Sequence, residues 1–198
     1  MPTTSDGRPG LTASQTVGPY LAIGLTWEHG EEAVDPGTPG AVTVSGTLYD
    51  GEGVPIPDGM VEIWQAHPDG RFHHPDDPRG VAEAPPGFRG FARAQTVDGG
   101  RWSVLTLVPG AVPGPDGTTQ APHLDLSVFA RGLLDRVVTR VYFPEHAGVA
   151  GPGGHAEDRV LAAVPAHRRH TLVAQQVDGG YRFDIRLQGE NETVFFDI

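Results

Sequence analysis

Glycine and proline interrupt this chain so often that they leave room mainly for short elements. The 198 residues include 28 Gly and 19 Pro, about a quarter of the total. Glycine inside a helix or strand loses backbone entropy, and proline removes a backbone donor. Such a content approaches that of disordered chains, yet aromatic and β-branched residues recur here in short, regularly spaced runs. The expectation is many short strands joined by tight turns.

Those runs can be read one by one. Residues 42–49 alternate, and Asp50-Gly51-Glu52-Gly53 turns the chain. Residues 60–66 alternate too, setting Val61, Ile63 and Gln65 opposite Met60, Glu62 and Trp64. Runs 91–97 and 101–108 flank Asp98-Gly99-Gly100, and runs 171–177 and 181–187 flank Asp178-Gly179-Gly180. Both read as hairpins. In 121–143, His123 and Asp125 share one strand face with Leu124 and Leu126 on the other, an Arg131-Gly132 turn follows, and 137–143 forms a return strand. A last run spans 192–198. The single helix expected is 156–164, stopped by Pro165, with a further turn at 166–170. The result is an all-β fold, a β-sandwich core with long loops and one or two short helices, in one domain over 1–198 with 1–20 as an N-terminal arm.

Charge and composition exclude several partners. The formal net charge is −11, and all 14 basic residues are Arg, with no basic cluster to meet a phosphate backbone. Absence of Cys removes disulfides, thiolate metal sites and thiol catalysis. No apolar run is long enough to cross a bilayer, and the N-terminus lacks a signal-peptide layout. A cytoplasmic protein is expected.

Nine histidines raise the question of a metal. His73 and His74 are adjacent in a polar loop and point opposite ways if extended. His167 and His170 flank two arginines, which disfavour a cation. His29, His67, His146 and His155 have no partner at ligand spacing in the sequence. His123 alone lies in a strand beside another ligand type, Asp125, and one imidazole with one carboxylate is an incomplete site. Gly151-Pro152-Gly153-Gly154 lacks the strand and the Lys-Ser/Thr ending of a phosphate loop, and there is no Gly-x-Ser-x-Gly elbow. Arg131, at the end of an apolar strand, suits either a carboxylate ligand or a structural ion pair. The segment 14–20, with Gly18-Pro19 between a hydroxyl and an aromatic, is either a packed loop or a pocket lining.

SQTVGPY (14–20), VSGTLYDGEGVPIPDGMVEIWQAHPDGRF (44–72), FRGFARAQT (88–96), APHLDLSVFARG (121–132), TRVYFP (139–144) and YRFDIRLQGENETVFFDI (181–198) together carry a resemblance. The chain resembles the intradiol ring-cleavage dioxygenase family, and within it the iron-free α type of subunit. The resemblance implies a β-sandwich and a heteromeric αβ enzyme built from several αβ units. It also implies non-haem ferric iron held by two Tyr and two His. On the strand matching 121–129 the catalytic chains carry a His-x-His pair. Here His123 stands at the first position as a vestigial ligand and Asp125 at the second. The two ligand tyrosines would fall near Gly80 and near Val112, whereas the only tyrosines are Tyr20, Tyr49, Tyr142 and Tyr181. Asp125, Gly80 and Val112 therefore mark lost ligand positions. The resemblance assigns Fe(III) to a partner β subunit, which would cleave protocatechuate with O2 to 3-carboxy-cis,cis-muconate. It leaves this chain no catalytic residue or metal. By the same resemblance Thr16, Gly18, Pro19, Tyr20 and Arg131 form a wall of the partner's substrate pocket. Two alternatives stay open at this point: a stand-alone β-sandwich binding or scaffold module, and a homomeric enzyme with an altered ligand set.

Overall fold

A computed structural model describes residues 16–18, 20–80, 87–114, 117–146 and 158–197. Alternating sequence becomes two packed sheets. The first is centred on β1 (Ala41–Tyr49), which pairs antiparallel with β4 (Arg101–Leu107) along one edge. Its other edge pairs in parallel with β10 (Gly180–Arg182) through 43–45 and with β11 (Ile185–Arg186) through 48–49. The second sheet has the order β3 (Phe91–Gln95), β2 (Met60–Trp64), β7 (His123–Phe129), β8 (Val137–Tyr142), all antiparallel. A small ribbon pairs β5 (Val112–Pro113) with β6 (Thr119–Gln120). β9 (Gln175–Val177) and β10 form the expected hairpin around Asp178-Gly179.

The core follows from alternation. Val44, Leu48, Trp102 and Val104 of the first sheet meet Val61, Ile63, Leu124 and Leu126 of the second, all at most 2 % exposed. Removing that apolar surface from water is the main favourable term in holding the layers together. One close approach depends on glycine. A Cβ at Gly46 would stand 1.8 Å from the Phe183 carbonyl oxygen, at the break where β1 changes partner from β10 to β11. There the Asp184 carboxylate accepts the Thr47 N–H at 3.0 Å, replacing a ladder bond.

The Asp98-Gly99-Gly100 turn corrects an expectation. Its flanking strands do not form a hairpin: β3 belongs to the second sheet and β4 to the first, with only Val97 and Arg101 bridged. A 3-10 turn with Gly99 and Gly100 at positive φ carries the chain from one layer to the other. Gln65 then ties the layers. Its amide donates to the Leu107 carbonyl at 2.9 Å, and its oxygen accepts the Thr106 hydroxyl, both groups on β4.

Helix is scarce, and it is not confined to the expected segment. α2 (Arg159–Ala163) forms inside that segment, capped by Asp158, which accepts from the N–H groups of Val160 and Leu161. Residues 156 and 157, like the 151–154 glycine run and His155, lie outside the described residues. Residues 166–172, read partly as strand, form a 3-10 helix. α1 (Tyr20–Leu25) was not foreseen. The C-terminal run makes one bridge, Phe196 to Val138, and packs along β8 instead of forming a strand. Among the described residues no helix is long and apolar enough to cross a membrane.

Gln65→Leu should leave the Thr106 hydroxyl and the Leu107 carbonyl with only their long 3.4 Å contact to each other and lower unfolding free energy by about 1–3 kcal/mol. Urea denaturation checks this, with an unchanged slope showing that the fold survives.

Candidate functional site

The head of β7 gathers the chemistry. Register places His123 opposite Tyr142 and Asp125 opposite Arg140 on β8. Their side chains alternate away from the core-facing Leu124, Leu126 and Val141. His123 is buried, and its Nδ1 lies 2.6 Å from the Ala121 carbonyl oxygen. A carbonyl can only accept, so Nδ1 carries a proton, and Nε2 faces the Asp125 carboxylate at 3.6 Å. A backbone carbonyl braces metal-binding histidines in the same way.

A guanidinium sits among the acceptors. Arg140 Nε donates to Asp125 Oδ1 at 2.9 Å, and Nη1 donates to Gln120 Oε1 at 2.6 Å. The Tyr142 hydroxyl lies 3.5 Å from the same Nη1. Burial opposes ionisation of Asp125, but the hydrogen bonds and charges of His123 and Arg140 outweigh it and hold the carboxyl below its ordinary range. Burial disfavours the Arg140 cation, yet the Asp125 charge, the Tyr142 hydroxyl and the Asp158 charge together more than offset this and raise its pKa. Burial, partly countered by Arg140, pushes the Tyr142 phenol up to about 12. A cleft of about 320 Å³ opens beside these groups, between Glu62 and Trp64 of β2, Phe91 of β3, and Asp125 and Arg140.

The sequence-derived positions divide. Val112 is drawn to the site, since it pairs with Gln120 across the β5–β6 ribbon, but as a valine it offers no ligand. Gly80 closes the 67–80 loop at the surface, where an added Cβ would meet no atom within 4 Å. That loop is held by Asp77, whose carboxylate accepts from the N–H groups of Phe72 and Arg79 and from the Arg79 guanidinium. The Arg79 hydrogen bond leads the causes that hold the Asp77 carboxyl far below its usual range. Tyr142, Arg140 and Gln120 were missed, although counting back across the Arg131-Gly132 turn would have paired the first two with His123 and Asp125.

A ferric site with two phenolates and two imidazoles does not fit this donor set. The strand offers one imidazole, the phenol beside it is hydrogen-bonded and hard to ionise, and a permanent cation is already bound to the carboxylate and the phenol. Another group of metal-type donors corrects the reading of His29: with Glu31 and Glu32 it forms a cluster on the surface. His29 Nδ1 lies 3.2 Å from Glu32, and the imidazole is well exposed.

Arg131 and the arm lie elsewhere. Arg131 follows β7, at the end opposite His123, so roughly 25 Å of extended strand separates them. Its guanidinium is 70 % exposed and pairs with Asp58 at 3.3 Å. Thr16 and Gly18 are exposed and Pro19 lies outside the described residues. The Tyr20 and Ile23 side chains of α1 are 78 % and 73 % exposed. The arm joins the second sheet through Arg93, which donates to the Leu25 carbonyl, pairs with Glu62 and stacks 4.9 Å over Trp27.

Fold and site together define a β-sandwich of the oxygenase class that carries His123, Asp125, Arg140 and Tyr142 side by side on β7 and β8. A family model described as Dioxygenase (Dioxygenase_C) matches residues 18–189, and the chain belongs to the intradiol dioxygenase family. That family depends on non-haem Fe(III). The protocatechuate 3,4-dioxygenase alpha chain of Pseudomonas putida is 39 % identical, covering 94 % of this chain and 96 % of that one. The beta chain of the same enzyme from Burkholderia cepacia is 33 % identical, over 77 % of this chain and 66 % of its own length. Among solved structures, catechol 1,2-dioxygenase from Acinetobacter sp. ADP1 shares the fold at a TM-score of 0.55, with 20 % identity over 84 % of this chain and 60 % of that one.

Both Asp77 and Asp125 have folded-state pKa values below the ordinary 3.8. The stability they contribute is therefore present above that pH and is lost as pH falls below it. Thermal midpoints measured downward from neutrality should hold to about pH 4 and then fall steeply. Asp77→Asn should lower the midpoint at neutral pH and flatten that acid decline.

Proposed function

We propose that this chain is the α-type, iron-free subunit of a two-chain protocatechuate 3,4-dioxygenase, acting in the cytoplasm with an iron-bearing β subunit. The complex cleaves protocatechuate with O2 to 3-carboxy-cis,cis-muconate, and Fe(III) and the bond-making steps belong to the sibling. The observation that carries this reading is a dioxygenase sandwich whose ligand strand keeps a single imidazole, His123, with Asp125 in place of the second. Similarity to an alpha chain over nearly the full length of both supports it, as does the homology to a beta chain.

This chain contributes structure and one wall of the partner's pocket. Thr16, Gly18, Pro19 and Tyr20 approach that pocket from the arm, and Arg131 offers a guanidinium to the substrate carboxylate. Supporting this, Tyr20 and Ile23 expose apolar surface that no other described residue covers. Arg131 is solvent-accessible, and its ion pair with the half-exposed Asp58 is worth at most about 1 kcal/mol, so it can be exchanged for a ligand contact. The net charge of −11 opposes long-range attraction of a carboxylate, so any help from Arg131 is local.

Co-expression with a sibling carrying two Tyr and two His should yield a tight, coloured complex with iron on the sibling only. A colourless chain that ignores the sibling would leave a stand-alone scaffold, and stoichiometric iron on this chain alone would mean a homomeric enzyme. In the complex, Arg131→Ala should raise KM for protocatechuate roughly fivefold at constant iron content, the equivalent of ~1 kcal/mol. Unchanged kinetics would make Arg131 a structural residue. Deleting residues 1–20 should impair assembly or substrate handling.

A further inference from the structure

We propose that Arg140 is a resident cation that takes the place of a metal ion at the head of β7 and keeps metal out of this chain. The inference rests on the reading that His123 and Asp125 stand at former ligand positions, and it adds the residue that enforces their emptiness.

The donors at this spot are of metal-binding type. An imidazole nitrogen, a carboxylate, an amide oxygen and a phenol are brought together by three strands, β6, β7 and β8. His123 is braced through Nδ1 on the Ala121 carbonyl, with Nε2 turned toward Asp125. What these groups surround is the guanidinium. Asp125, Gln120 and Tyr142 all direct oxygen at Arg140, whose side chain is only 17 % exposed. Acceptors gathered this closely around a carboxylate favour a positive centre, and a planar fork with five donors satisfies several at once. Arginine also keeps its charge at every physiological pH, so a metal cannot gain entry by displacing a proton from it. A dication would have to break the Asp125 and Gln120 contacts and then sit beside an unpaired guanidinium.

Charge at the site is thus supplied by the chain itself. In a two-chain enzyme this confines metal to the sibling, whatever the supply of metal during folding.

The probe is Co(II), added to chains carrying His29→Gln so that the surface cluster is silent. Binding is followed by visible absorption, by paramagnetic broadening of the His123 ring signals (assigned with His123→Asn), and by thermal midpoint. The chain that retains Arg140 should show no broadening at His123 and no shift in midpoint with Co(II). Arg140→Met should gain one saturable site that broadens His123 and raises the midpoint as Co(II) increases. Arg140→Lys, which keeps a charge, should exclude the metal as arginine does. Binding at His123 in the chain that retains Arg140, or in the Arg140→Lys variant, overturns the proposal, and so does a folded Arg140→Met chain that takes up nothing. If Arg140→Met does not fold, Arg140→Gln, which keeps polar contacts without the charge, takes its place and is held to the same outcome. Iron content of the co-expressed complex is read separately, so failure here leaves the subunit assignment to its own test.

Discussion

The register between β7 and β8 is the constraint on which the rest of the structure depends. β7 is an interior strand, paired on one side with β2 and on the other with β8. Its inner residues, Leu124, Leu126 and Val128, are fully buried. A slip of one residue would turn all three outward and carry His123 and Asp125 into the apolar layer, an outcome the core forbids. Hydrophobic burial on one face thereby fixes polar geometry on the other. The 2.9 Å contact of Asp125 with Arg140 follows from packing that neither residue takes part in.

The same logic explains how the ends of the sandwich are closed. The chain passes from β3 to β4 by a glycine corner, and this leaves the two layers joined at that edge by few backbone bonds. Gln65 and Thr106 provide a buried polar link across the gap, while the segment before β1 bridges both edges: Leu105 donates to the Glu31 carbonyl and Arg93 donates to that of Gly30. At the other side, Asp158 caps α2 and also accepts the Ala121 N–H at 2.9 Å. It thus holds the carbonyl-bearing residue that braces His123. Secondary structure far in sequence from the site sets the orientation of its one remaining imidazole.

Much of this was legible beforehand, for a definite reason. Where one face of a strand is buried, period-two alternation reports it, so the runs 42–49, 60–66, 91–97 and 137–143 could be read from residue type alone, and each holds a strand that ends within two residues of the run. The Asp98-Gly99-Gly100 turn was misread because local turn chemistry is the same whether the strands stay in one sheet or part into two; only tertiary packing distinguishes them. α1 escaped because its exposed Tyr20 and Ile23 give no inward stripe. His29 gained Glu31 and Glu32 through a left-handed backbone, with φ of 59°, that spacing cannot reveal. At the site, His123 and Asp125 were read along their own strand, as donors for an ion. The actual partner of Asp125 was a cation on the neighbouring strand, which becomes visible only when the hairpin register is counted through.

Distance along one strand separates two kinds of inheritance. His123 and Arg131 bracket β7, and a rigid strand does not shorten, so no motion of side chains brings the guanidinium of Arg131 to the His123–Asp125 pair. Arg131 serves either the local pair with Asp58 or a surface on another molecule. Arg140 is the reverse case, held by Asp125 and Tyr142 of its own sheet and by Gln120 of the β5–β6 ribbon. One arginine is therefore committed to acceptors within the chain, while the other stays open to solvent.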